Sequence, residues 1–143
     1  MFSQIVFGSA LLVVCSLLHV AVVAAGIPML MKIASRAQTW RNSRRIAVIL
    51  AAAIGILLVA HTAEIWLWAF SFAILGEFEQ FSTSFYFATV TYTTLGYGDV
   101  VLHENARIFA SFGAITGLFT FGISTAFLIG LLGRVMPNVF ESK

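Results

Sequence analysis

Three long apolar stretches and one short aromatic one divide the chain. The long ones run from about Ile5 to Met31, from about Ile46 to Leu75 and from about Ile108 to Gly133. A helix of about 20 apolar residues crosses the hydrocarbon layer of a bilayer, so each stretch predicts a span. The first contains His19, about 21 Å along its axis, and Pro28 near its end, where a kink is tolerated. Such a histidine is more often neutral and hydrogen-bonded than a ligand, and no metal-binding spacing accompanies it. The second stretch is interrupted by His61 and Glu64. Glu64 is about 27 Å beyond Ile46, which predicts a place near the outer interface beside Trp66 and Trp68. His61 and Glu64 are three residues apart on one helix face, so they can pair.

The short segment, Phe81 to Tyr92, is aromatic and threonine-rich. At about 1.5 Å per residue it reaches only about halfway across a bilayer. Followed by glycines, it predicts a re-entrant helix that dips into the membrane and returns. Ser82 or Thr83 is the expected N-cap.

Charge adds an orientation. Lys32, Arg36, Arg41, Arg44 and Arg45 cluster between the first two spans with no acid among them. The excess of positive charge places that connection in the cytoplasm. Arg134 and Lys143 then also fall inside, whereas Glu77, Glu79, Asp99 and Glu104 fall outside. The expected product is a multi-pass protein of the cell (inner) membrane, amino terminus outside, carboxyl terminus cytoplasmic. The arginines are irregularly spaced and lie in a loop, unlike a voltage sensor.

Composition agrees. Hydrophobic residues make up 60% of the 143 and charged ones 10%, with a net charge of +2. Mean hydropathy is +0.99. Lipid is therefore the expected surrounding, and no nucleic acid or small-molecule substrate is expected as a partner. Cys15 is the sole cysteine and reads as a small buried hydrophobe. No nucleophile, base and orienting group converge, so an enzyme is not expected. The basic n-region of a signal peptide is missing from the amino terminus, so the first stretch reads as a retained span.

The chemistry is concentrated in Thr93-Thr94-Leu95-Gly96-Tyr97-Gly98-Asp99. Glycines alternating with larger residues allow a backbone that turns successive carbonyls toward one axis. This string, following a half-span helix and preceding a full span, resembles the potassium channel pore family, small bacterial-type channels with an outer helix, pore helix, filter and inner helix. Leu95 departs from the valine or isoleucine usual there. The resemblance implies an all-α membrane protein with three transmembrane helices, a re-entrant pore helix and a filter loop, assembled as a homotetramer around one pore. It implies a pore domain over residues 46–134: outer helix 46–75, pore helix 81–92, filter 93–99, inner helix 107–134. Residues 1–34 form an extra helix, free to face lipid or a partner.

The resemblance further implies that potassium is the permeant ion, with no cofactor. The carbonyls of Thr94, Leu95, Gly96 and Tyr97 would form stacked oxygen rings, and the Thr94 hydroxyl the innermost one. Thr93, Gly98 and Asp99 support them, with Asp99 bonded to Tyr86 or Tyr92. The pore helix would aim its negative end at the cavity. A hinge in the inner helix is expected at Gly117 or Gly122, with plain helix packing as the equal alternative. Leu118, Phe121, Thr125 and Ile129 share a helical face that lines either the pore and its gate or a neighbouring helix. The alternatives are a weakly selective cation channel, left open by Leu95, and a non-conducting subunit of another channel.

Overall fold

In a computed structural model of the chain, residues 1–136 are described, and Lys143 therefore lies outside them. Four helices and one short 3-10 turn account for the architecture: α1 (Phe2–Arg36), α2 (Asn42–Ile74), α3 (Phe81–Tyr92), the turn Glu104–Ala106, and α4 (Arg107–Val135). Among the described residues there is no strand. Three of the helices are long and apolar enough to cross a membrane. The chain is an all-α, multi-pass membrane protein.

The helices extend beyond the apolar stretches. Lys32 and Arg36 sit in the last turns of α1, and Arg44 and Arg45 in the first turn of α2, so the basic connection itself shrinks to 37–41. Main-chain hydrogen bonding continues until side chains or glycine stop it, irrespective of where the hydrocarbon ends. Pro28 lies inside α1, which continues past it. The cap of α3 also differs from expectation. Gln80 occupies the N-cap without a side-chain bond, and Ser82 turns its hydroxyl toward the Gln80 side chain at 3.5 Å.

The two sides of the bundle are tied by different groups. α1 packs on both α2 and α4, and α3 is held between α2 and α4. At the amino-terminal end of α1, the Gln4 side-chain carbonyl accepts the free main-chain N–H groups of Ile108 and Phe109 at 3.1 and 3.3 Å. That side chain does the work of an N-cap for a helix more than a hundred residues away. Nearby, Glu77 accepts from the main-chain N–H of His103 at 3.2 Å. The core beneath is aromatic: Trp68 and Phe72 of α2 meet Phe109 of α4, with Cys15 of α1 and Ala88 of α3 closing the cluster.

Trp68 is thus fully buried, contrary to the expected interfacial position. Trp66, two residues away on the opposite side of the helix, is 41% exposed and stacks with Phe70, Phe81 and Phe85. A 3.6-residue period puts neighbours two apart on different faces, so only one of the two tryptophans can face outward.

α4 approaches the end of α3 closely at Gly117. A Cβ placed there would meet the main-chain oxygen of Tyr92 at 1.9 Å. Only a glycine lets α4 lie this near the end of α3. At Gly122 a Cβ would meet nothing within 4 Å. Gly117→Ala is expected to lower stability by about 1–3 kcal/mol through overpacking, and Gly122→Ala to leave it nearly unchanged. Thermal unfolding of the two purified variants in detergent checks this; equal stability would remove the packing role of Gly117.

Candidate functional site

α3 ends at Tyr92, and the segment that follows is exposed from Thr93 to Asp99. Its backbone alternates. Thr94, Gly96 and Gly98 have φ of 60°, 55° and 77°. Positive φ at every second residue rotates successive peptide planes and turns carbonyls that would otherwise alternate in direction. Glycine adopts it freely; at Thr94 it costs conformational energy. The segment is anchored to the end of α3, whose Val90 carbonyl accepts the N–H groups of Leu95 at 3.0 Å and Gly96 at 3.3 Å. The Thr93 hydroxyl donates back to the Thr89 carbonyl at 2.8 Å. Leu95 and Tyr97 stand 54% and 67% exposed.

Asp99 returns to α3. The Tyr86 hydroxyl donates to its carboxylate at 2.7 Å. Tyr92, the other candidate donor, points the opposite way, into the bundle. Its hydroxyl donates to the Glu64 carboxylate and lies 2.8 Å from the Thr120 hydroxyl. The two tyrosines are six residues apart, which on a helix turns them to different sides.

Around Tyr92 the structure assembles a polar cluster from all four helices. Glu64 and His19 are completely buried and 3.0 Å apart, Oε1 to Nδ1. The His61 Nδ1 is 2.7 Å from the Tyr92 hydroxyl, and its Nε2 is 3.0 Å from the Ser124 hydroxyl. Ser124 also faces the His19 Nε2 at 3.1 Å. Phe121 covers the His61 ring at a centroid separation of 4.5 Å. His19 is the central residue of α1, which fixes the depth of the cluster near the middle of the membrane. The expected position of Glu64 at the outer interface is therefore corrected. α2, at 33 residues, is longer than the bilayer is thick, so contact with the centre of α1, and not distance counted along α2, sets the level of Glu64.

His61 and Glu64 are 3.7 Å apart, a looser contact than either makes with other helices. His19, His61 and Glu64 are metal-ligating types with one ligand atom each within 4.8 Å of the others. The atoms concerned are already engaged with one another and with Tyr92.

The inner-helix candidates separate into two groups. Gly117 is buried against Tyr92, whereas Leu118, Phe121, Gly122, Thr125 and Ile129 lie on the exposed face of α4. Ser124 and Thr120 carried no signal of their own, because hydroxyls are common in spanning helices. The ionisable residues within spans were the available sign.

Residues 60–134, more than half of the chain, match the family model described as ion channel. The chain belongs to this ion channel family. No curated protein and no solved structure matches it.

Tyr92→Phe removes the hydroxyl that bonds a buried carboxylate, and the expected loss is about 1.5–3 kcal/mol for a bond to a charged group. Denaturation monitored by helical circular dichroism measures it. An unchanged midpoint would show that the Glu64 carboxylate does not depend on Tyr92.

Proposed function

We propose that four copies of this chain form a potassium-selective channel that conducts passively, with the amino terminus outside the cell membrane and the carboxyl terminus in the cytoplasm. The observation that carries the reading is the alternating left-handed backbone at Thr94, Gly96 and Gly98 in an exposed segment hung from the end of a half-span helix. Such a backbone presents the carbonyls of Thr94, Leu95, Gly96 and Tyr97 to one side. Rings of four carbonyls from four chains replace the water shell of a potassium ion. One such segment cannot encircle an ion, so symmetry-related copies complete the ring.

Two features support assembly. Leu95 and Tyr97 are large and exposed on the single chain, and so are Leu118, Phe121 and Ile129 of α4. In a tetramer the first pair packs behind the filter against neighbouring copies, and the α4 face lines the pore below it. The Tyr86–Asp99 bond holds the outer end of the filter to the pore helix. Orientation follows from charge. Among the described residues, the side of the bundle with Lys32, Arg36, Arg41, Arg44, Arg45 and Arg134 carries no acid, and Glu77, Glu79, Asp99 and Glu104 lie toward the other side.

Flux of potassium and of sodium into liposomes holding the purified protein tests the reading. Potassium flux far above sodium flux, abolished by Gly96→Ala, is the expected result, since alanine at φ 55° costs about 1–2 kcal/mol and displaces the carbonyl. Comparable fluxes would establish a weakly selective cation channel. Tyr86→Phe is expected to preserve helical content and lower sustained potassium flux. Sustained flux equal to that of the wild type would detach Asp99 from the support of the filter.

A further inference from the structure

We propose that Glu64, His19, Ser124, His61 and Tyr92 form a binding site for one proton at mid-depth in the membrane. The five residues make a closed ring of five contacts. His19 joins Glu64 at 3.0 Å and Ser124 at 3.1 Å, Ser124 joins His61 at 3.0 Å, His61 joins Tyr92 at 2.7 Å, and Tyr92 closes the ring on the second oxygen of Glu64. Every contact requires one hydrogen between its two heavy atoms. An ionised carboxylate brings none, a neutral imidazole one, and a hydroxyl one. Two histidines, one serine and one tyrosine therefore supply four hydrogens for five contacts.

No choice of tautomers repairs the shortage. With both imidazoles protonated at Nδ1, the Ser124 hydroxyl faces two acceptor nitrogens with a single hydrogen. With His61 protonated at Nε2 instead, the Tyr92 hydroxyl faces both the His61 Nδ1 and the Glu64 carboxylate with one hydrogen. In each case two lone pairs meet at hydrogen-bond distance inside the protein, where an unmade bond is costly. One added proton closes the ring. It resides as a histidinium beside the carboxylate or as a Glu64 carboxylic acid, and both arrangements fill all five contacts.

The surroundings supply no other cation. α1 contributes His19 and Cys15 to the cluster, α2 contributes His61 and Glu64, and α3 contributes Tyr92. α4 contributes no ionisable group there, only the Ser124 and Thr120 hydroxyls and the Phe121 ring. Among the described residues Glu64 pairs with no lysine or arginine. The Thr120 hydroxyl lies 2.8 Å from the Tyr92 oxygen but donates its hydrogen to the Thr116 carbonyl at 2.9 Å, so it brings the ring none and the shortage is not relieved. A divalent metal is the rival, but it would have to take the nitrogen and oxygen atoms that the ring already uses.

The site binds the foot of α3, from which Thr93 to Asp99 hang, to the other three helices. Loss of the proton frees one ring contact and loosens that foot. An effect on conduction rests on the potassium-channel reading; the proton count does not.

The test is thermal unfolding of the purified full chain in detergent between about pH 8 and 9, where free imidazoles and carboxylates carry almost no proton. A native state holding one proton that the unfolded chain lacks loses stability as pH rises, by about tenfold in the folded-to-unfolded ratio per pH unit. Glu64→Gln supplies amide hydrogens and no charge. Ser124→Ala removes two contacts and one hydrogen, leaving three contacts with three hydrogens. Both variants are expected to lose this part of the pH slope while keeping their helical content. The readout is the difference from wild type, and Ser124→Ala keeps both Glu64 and Cys15 in place. If Glu64→Gln does not fold, Ser124→Ala decides alone. The proposal is overturned by a wild-type slope equal to that of the folded variants. It is equally overturned by metal analysis that finds one divalent ion per wild-type chain and none in Glu64→Gln.

Discussion

A carboxyl group near the centre of a bilayer must be enclosed by donors, because lipid supplies none. Glu64 is that group, and most of the bundle is arranged to enclose it. α2 carries the carboxyl and can offer only His61 from its own surface, one turn away and not well placed. The remaining partners come from elsewhere in the chain: His19 from α1 and the Tyr92 hydroxyl from α3, with Ser124 of α4 linking the two histidines. Meeting this one requirement sets the rotation of α1 about its axis and the depth to which α3 descends. It also gives the first span a defined place against α2 and α4.

Apolar packing and polar contacts converge on the same residue. Tyr92 is held by its hydroxyl on one side and by the approach of α4 at Gly117 on the other. Above it, Trp68, Phe72 and Phe109 fill the space between α2 and α4. The half-span helix is consequently fixed at its inner end, and the segment after it begins from a rigid point. That matters for an ion channel because carbonyl oxygens act on an ion only when held at fixed spacing. The outer end of the same segment is secured separately, through Asp99 and Tyr86. The backbone from Thr93 to Asp99 is therefore pinned at both ends by residues of one short helix.

What is left uncovered has its own pattern. One largely apolar face of α4 and the side chains of Leu95 and Tyr97 are exposed, while His19, Glu64, Thr116, Thr120 and Ser124 are turned inward. Lipid tolerates apolar surface without any partner, so exposure by itself would not require assembly. The proposed assembly rests instead on the exposed segment after α3.

The sequence alone determined the parts that depend on composition and local order. Runs of apolar residues long enough to cross a bilayer fold as helices whatever surrounds them, because an unpaired main-chain group in lipid is too costly. The short aromatic helix and the alternating Gly96 and Gly98 were legible for a similar reason: length limits the one, and the freedom of glycine marks the other. Only the tertiary structure decided which face of each helix turns inward. The apolar stretches are apolar nearly all round, so periodicity could not choose between Trp66 and Trp68, nor send Tyr86 outward to Asp99 and Tyr92 inward to Glu64. His19, His61, Glu64 and Ser124 are far apart along the chain or separated by a helical turn, and nothing in their spacing foretells that they meet. Their meeting follows from packing four helices around one carboxyl group, a constraint that exists only once the chain is folded.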